Sequence, residues 1–549
     1  MKSNKKGKKT KNIGNDVNDS MLEPIKIFRK CEKDYHNARS QNDYLALIKR
    51  LDDLVSKRSD YPDANALWGH CYIKIGDHSR ALLEFTQAIE KEPKEQEHYN
   101  WAGFWHQELK QFDLALTHYS QAIDLDKTKG EYYFNRGTVK KDMNEYQQAI
   151  EDFELAIKYW EQKISSQAPE DSLYQAFYLK GIWLRQLENY EESISDLRKA
   201  VEFKPEDPNA HNNLGLSLFK NGIFEEASHE YTRAIQSTQV DKKKLDFNSE
   251  LKNQVAIYCN NRGLAYYHLK QYFEAKKDFD EAIKLNDKEA IYYFNRGNVA
   301  YDQKKYDEAH QDYDSAIELQ PDDPRFYHSK GLAYESTEDD EDFDAAIQNF
   351  NKALEIDQTF FGSRFHLGIM YHKNYQFEDA MHCFSTVLTY YLTDKKIFVH
   401  RGLVYQAINK HEFAILDFDA ALKIDNKYSD AYYCRGVSNL KLKNYDEAIK
   451  DLNKAQKHVV THNYGIQDAL GCCYQAQKDY DKALEYMNSA ISNDPKNVEF
   501  LMNRSQCYFE LSNFTDSISD LEKALEIDEY DTQVLYKLGL SYYASLNYK

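Results

Sequence analysis

Apolar and polar residues follow a helical period along most of this chain. Small or apolar residues recur at i, i+3, i+4 and i+7, one stripe of a helix with 3.6 residues per turn, and a second stripe at i, i+4 and i+7 follows after a short break. Each pair of stripes predicts two amphipathic helices joined by a tight turn. Gly lies on the first stripe, and twelve residues later comes Ala, then an aromatic residue or Leu at +4 and Ala at +7. Gly69 leads to Ala81, Phe85 and Ala88, Gly103 to Ala115, Tyr119 and Ala122, and Gly297 to Ala309, Tyr313 and Ala316.

The pattern repeats with a period near 34 residues. In phase, thirteen units cover 62–95, 96–129, 130–163, 174–207, 208–241, 256–289, 290–323, 324–360, 361–394, 395–428, 429–462, 464–497 and 498–531. Pro93, Pro205, Pro321 and Pro495 stand at position 32, just past the second helix, where proline stops continuation. Small residues at positions 8 and 20 let the two axes approach closely, and the aromatic at 24 fills the groove between them. One such hairpin cannot bury its apolar face alone, so neighbours must stack.

These residues carry a resemblance. An aromatic at 4, Gly or Ala at 8, Tyr at 11, Ala at 20, Phe at 24, Ala at 27 and Pro at 32 resemble the tetratricopeptide repeat (TPR) family over residues 62–549. The resemblance implies an all-α fold, a right-handed superhelical α-solenoid of helix-turn-helix units, and a role in binding other proteins.

Three insertions interrupt the period, near 164–173, 242–255 and 338–342. They are polar and lie at or near turns, so longer solvated connections are expected, with a docking loop as the alternative. Residues 22–61 carry Leu45, Leu47, Ile48, Leu51 and Leu54 without the Gly and Ala signature, and are read as a degenerate helical pair capping the front of the array. Residues 532–549 hold one further first helix, with Leu535, Leu538, Gly539 and Tyr542 in phase, expected as a single capping helix.

Because the repeats are copies within one chain, their positions can be compared with each other. Position 7 is Arg in six repeats, and each has Asp at position 23: Arg136 and Asp152, Arg262 and Asp278, Arg296 and Asp312, Arg401 and Asp417, Arg435 and Asp451, Arg504 and Asp520. Lys180 is matched by Asp196. Repeats with apolar Trp68, Ala102, Leu214 and Leu470 carry Glu84, His118, Glu230 and Tyr486 there instead. The linkage predicts a structural salt bridge between the two helices of one repeat, the guanidinium fork matching a carboxylate.

Position 6, on the side of the first helix that lines the concave surface in this architecture, is Asn135, Asn213, Asn261, Asn295 and Asn503. Such a ladder resembles the asparagine ladder of the TPR arm of O-linked N-acetylglucosamine transferase and could hold the backbone of an extended peptide. The alternative is that each Asn bonds a neighbouring helix. Position 5 of the first six repeats is never Lys, so the carboxylate clamp of chaperone-binding TPRs is not expected.

Charge and composition narrow the functional classes. The chain has 71 Lys and Arg against 90 Asp and Glu, a net charge of -19, so nucleic-acid binding is not expected. Residues 1–21 read as a disordered tail whose first twelve residues hold six lysines and no acid. It could be a nuclear localisation signal or an electrostatic tether. No apolar run is long enough to span a bilayer, and no secretory signal pattern stands at the start, so a soluble, cytoplasmic chain is expected, with nucleus or cilium possible locations. The eight cysteines show no C-x-x-C spacing and predict neither disulfides nor metal. No catalytic motif occurs, and the repeats leave no room for a separate catalytic domain. The reading is a non-enzymatic scaffold without cofactors, binding peptide or helical segments of other proteins in a multiprotein assembly. The alternative is a recruiting or regulatory subunit whose enzyme is another chain, and self-association is also open.

Overall fold

A computed structural model describes residues 28–57, 62–162, 170–238, 248–337, 340–458 and 464–547. The basic tail at 1–21 therefore lies outside the described residues. The chain divides into two compact units, the first ending at Asp287 and the second beginning at Lys288. Among the described residues every regular element is an α-helix. Each unit is an α-solenoid in which a first helix packs on its own second helix, and that second helix packs on the first helix of the next repeat.

The repeat at 290–323 shows the construction. Its helices are Ala290–Asp302 and Tyr306–Leu319. Tyr313 fills the groove, and a methyl group on Gly297 would lie 2.8 Å from the Tyr313 ring, closer than carbon atoms pack. The same approach of Gly to ring recurs at Gly69 and Phe85, Gly137 and Phe153, and Gly402 and Phe418, the last at 2.5 Å. Ala309 and Ala316 are fully buried, as are Ala414 and Ala421 of a later repeat.

Helix ends follow local chemistry. Asp207 and Asp323 cap first helices by accepting from the backbone N–H two residues on, each followed by proline at the first helical position. The turn inside most repeats places one residue in the left-handed region, and in ten of them it is not glycine. At Lys110, for example, the Gln111 N–H closes the turn on the His106 carbonyl.

The insertions depart from the expected loops where they are described. Glu170–Gln186, Ser249–His268 and Asp340–Ile356 each begin within an insertion, so part of each insertion lengthens a helix. The reason is local. Acidic residues occupy the first turn of the first two helices, and Asn248 accepts from the backbone N–H groups of Glu250 and Leu251. Residues 164–169 of the first insertion, 242–247 of the second, and 338 and 339 of the third lie outside the described residues.

At the front, a helix over 28–37 and Gln41–Lys57 share a core of Cys31, Leu47, Leu51 and Leu54 with Ala64, Leu67 and Cys71 of the first repeat. Leu45 points outward and is exposed. The last helix, Thr532–Asn547, packs Val534 and Leu538 against Leu501, Leu521 and Ala524 of the preceding repeat.

Candidate functional site

The Arg and Asp of each linked pair meet. Arg136 donates from Nε to Asp152 Oδ2 at 2.9 Å and from Nη2 to Oδ1 at 2.6 Å. Arg262 forks onto Asp278 at 2.7 and 2.7 Å, Arg296 onto Asp312 at 3.0 and 2.6 Å, and Arg401 onto Asp417 at 2.8 and 2.7 Å. Arg435 and Asp451 pair at 2.8 and 2.6 Å, and Arg504 and Asp520 at 2.8 and 2.7 Å. All six carboxylates are buried. Lys180, with one ammonium in place of the fork, sits 3.1 Å from Asp196.

The same cations reach further than their own repeat. Arg136 Nη1 donates to Ser120 at 3.3 Å, Arg262 to Thr232 at 3.1 Å, Arg401 to Ser385 at 3.4 Å and Arg504 to Asn488 at 2.7 Å. Arg435 pairs with Asp419 and Lys180 with Glu154, and Lys330, a further position-7 cation, pairs with Asp314. Every one of these partners is position 25 of the preceding repeat. Arg136, Lys180, Arg262, Arg401, Arg435 and Arg504 each therefore join three helices: their own, their repeat's second helix and the second helix before. The residue type at position 25 varies among Ser, Thr, Asn, Asp and Glu, which hid the linkage from a search for one repeated residue.

Two repeats with an apolar position 7 satisfy position 23 differently. Asn65 Nδ2 donates to Glu84 Oε2 at 2.6 Å, and His211 Nδ1 lies 2.6 Å from Glu230 Oε2. Both reach from position 4, one turn back along the first helix, and glutamate supplies the extra methylene that this span needs.

The asparagines of position 6 are not free. Asn135 donates to Asn100 Oδ1 at 2.9 Å, Asn213 to the Tyr178 hydroxyl at 2.9 Å, Asn261 to Asn212 Oδ1 at 3.0 Å and Asn503 to Asp468 Oδ2 at 2.7 Å. Each partner is position 5 of the preceding repeat. Asn295 is buried. Four of the five expected peptide-binding amides thus donate to the neighbouring first helix. The signal for this was present in the sequence, because a polar residue at position 5 precedes each of these asparagines one repeat earlier.

Asp468 is the electrostatic exception among these ties. It is 6 % exposed, its Oδ1 has no hydrogen-bond partner, and burial pushes its carboxyl up to about 7 despite the bond from Asn503. A carboxyl raised in the folded state holds its proton where the unfolded chain has lost it. Stability is then fully present below the unfolded value of 3.8 and is lost as pH rises through 7. Asp468→Asn should raise stability at pH 8 by about 2 kcal/mol, the usual cost of an uncompensated buried polar group. Denaturant melts at pH 8 and pH 5 check this, and an equal gain at both would refute it.

An exposed aromatic surface lies in the second unit, at turns inside repeats. Tyr375 is 81 % exposed and adopts φ 57, a left-handed conformation that bulky side chains disfavour. Its ring meets Phe377 edge-on at 6.2 Å. Tyr405 stacks on exposed Phe413 at 5.6 Å. Between them Tyr375, Phe377, Met381, Tyr405 and Ile408 line a groove of about 760 Å³, with Glu378, Asp379 and Lys410 at its rim. Sequence reasoning missed this site because a tyrosine in one turn carries no periodic signal.

Family models described as "Tetratricopeptide repeat" match residues 130–159, 256–289, 324–360, 429–459 and 469–532, and a model described as "TPR repeat" matches 183–222 and 297–337. The chain is a tetratricopeptide repeat protein. Relatives of this TPR chain include the Hsp70-Hsp90 organizing protein of Triticum aestivum, 24 % identical over 36 % of this chain and 34 % of that protein. Tetratricopeptide repeat protein 6 of Homo sapiens is 30 % identical over 23 % of this chain and 25 % of its own length. BBSome complex member BBS4 of Bos taurus is 26 % identical over 36 % of this chain and 37 % of its own. The chain thus spans no more than 37 % of the length of these relatives. Among solved structures, a chain of the APC/C heterotetramer Cut9-Hcn1 aligns over 87 % of this TPR protein and 96 % of itself, with 11 % identity and a TM-score of 0.43. As a TPR protein the chain is a protein-protein interaction scaffold. Among the described residues no helix is long and apolar enough to cross a membrane, and no group of three His, Cys, Asp or Glu is placed to hold a metal ion.

Proposed function

We propose that this TPR protein is a non-catalytic cytoplasmic scaffold that gathers partner proteins into an assembly by seating an apolar segment of a partner in the groove at Tyr375. The observation that carries this reading is Tyr375 itself. An exposed aromatic ring is held in a turn conformation that costs about 1 kcal/mol relative to glycine, at a position filled by Lys, Asn, Glu, Ser or Gly in other repeats. Neither burial nor capping explains it, and aromatic anchors dominate protein interfaces. The acids Glu378 and Asp379 outnumber Lys410 at the rim, which suits an apolar anchor followed by basic residues. The buried ionisable groups of the linked pairs are distributed one set per repeat and do not converge, as catalysis would require.

Tyr375→Gly separates stability from function. It should raise stability by about 1 kcal/mol through relief of the backbone. It should also weaken retention of partners about 30-fold, the loss of roughly 2 kcal/mol expected for an aromatic anchor. Lys443→Gly makes the same backbone change in a later repeat, at φ 64 and outside the residues that line the groove, and serves as the control. Quantitative affinity purification from the source cell reads the result. Retention of every partner by Tyr375→Gly, or equal loss with Lys443→Gly, would reject the groove.

A further inference from the structure

A cavity of about 550 Å³ opens where the repeat at 361–394 packs against the second helix before it, and it marks the place of a missing charge. Position 7 of this repeat is Leu367 and position 23 is Cys383, so the Arg and Asp pair is absent. The repeats at 62–95 and 208–241 also lack that pair, and in them a polar side chain at position 4, Asn65 or His211, meets a glutamate at position 23. Here position 4 is Arg364, and the glutamate's place is taken by buried Cys383. Burial pushes the Cys383 thiol up to about 11 against the pull of the Arg364 guanidinium, so the thiol stays neutral and supplies no anion. Among the described residues the Arg364 Nη2 donates to the Gln358 carbonyl at 3.2 Å, its buried Nε donates to nothing, and no carboxylate pairs with it.

We propose that this cavity binds a carboxylate carried by an acidic side chain of a partner protein, with Arg364 as its cation. The occupant stands in for the carboxylate that Glu84 and Glu230 supply within the chain, and a guanidinium fork matches that planar group. Neutral donors line the cavity as well. Asn351 stands at position 25 of the preceding repeat, once its three-residue insertion is allowed for, and that position elsewhere accepts from the position-7 cation. With Leu367 in that cation's place, the Asn351 amide bonds nothing among the described residues, and neither does the Tyr371 hydroxyl. The two acids on the walls are already held. Glu355 accepts from Lys352 at 2.8 Å, and Asp379 lies in the first turn of Phe377–Leu388, where the helix dipole favours negative charge. Asp379 alone borders both this cavity and the groove at Tyr375, and the proposal does not rest on that groove.

The test uses the full chain with its arginine side chains labelled for NMR and, as probe, a capped glutamate, N-acetylglutamate N-methylamide. The Nε resonance of Arg364, assigned by its loss in Arg364→Met, should shift saturably, while that of Arg401, whose fork is filled by Asp417, should not move. The matching glutamine compound should bind at least about ten-fold more weakly, since a charge-assisted bond becomes a neutral one. Cys383→Glu supplies the missing carboxylate within the chain. It should shift the Arg364 resonance in the same direction without probe, abolish the response to probe, and raise the denaturation midpoint above that of Cys383→Gln. The comparison of the two capped compounds stands whether or not Cys383→Glu folds. No saturable shift at Arg364, an equal shift at Arg401, an equal response to the glutamine compound, or a response that survives in folded Cys383→Glu overturns the proposal. Tighter binding of the capped phosphoserine also overturns it, by assigning the cavity to a phosphorylated ligand.

Discussion

Replacing Asp152 by alanine is expected to cost about 4 kcal/mol, because it leaves two cations in place and removes the anion that both use. Asp152 is 2 % exposed and accepts the Arg136 fork and, at 2.8 Å, the Lys140 ammonium. Neither cation can reach water fully, since their side chains are only 20 % and 15 % exposed. Burial pulls the Arg136 guanidinium down, yet its bonds to Asp152 outweigh this and raise it above its usual value. Arg136 also donates to Ser120, so the damage should spread into the preceding repeat. Stacked repeats are stabilised through nearest neighbours, and local opening is therefore the sensitive measurement. Hydrogen exchange should accelerate across 112–162, while Glu151→Ala, an exposed neighbour, should leave it unchanged. Equal exchange in the two variants would show that the three-helix tie contributes no stability.

Gly402→Val should cost about 3 kcal/mol for a different reason. Valine is a better helix former than glycine, so an isolated helix would gain from the change. Here even the first added carbon would lie 2.5 Å from the Phe418 ring, which is itself fully buried among Ala414 and Ala421. The ring cannot withdraw without forcing the two helices apart, and overpacking outweighs propensity. Gly539→Ala is the matched comparison, in which propensity acts alone and stability should rise by about 0.8 kcal/mol. Chemical denaturation of both variants checks the pair. If Gly402→Val were neutral, the helix axes would be free to separate and the close approach would not define the repeat.

The helical hairpins were legible in the sequence because one physical requirement recurs in every unit. A helix that approaches another closely needs a small residue where the ring of its partner lands, and Gly at 8 with Phe, Tyr, Leu or Met at 24 writes that requirement every 34 residues. The Arg and Asp linkage was legible by the same logic, since a buried guanidinium and a buried carboxylate constrain each other's identity. Where the constraint is looser the sequence was silent. Position 25 tolerates any acceptor, so the link to the preceding repeat was lost among Ser, Thr, Asn, Asp and Glu. The asparagines at position 6 show the converse. Their type could be read, but an amide serves equally for a peptide backbone or a neighbouring helix, and the bonds to Asn100, Tyr178, Asn212 and Asp468 emerge only once neighbouring helices stand side by side.

Within the described residues, then, the sequence by itself determined the element type, the phase of the repeats and the charge pairs inside them, because these depend on contacts at fixed separations along the chain. Tertiary structure alone decided which donors face a neighbour, that parts of the insertions extend helices, that Asp468 lies buried without a cation, and that the aromatic ring of Tyr375 stays uncovered. Those properties depend on what stands across from a side chain, and in a stacked array that residue comes from another helix whose register no local pattern records.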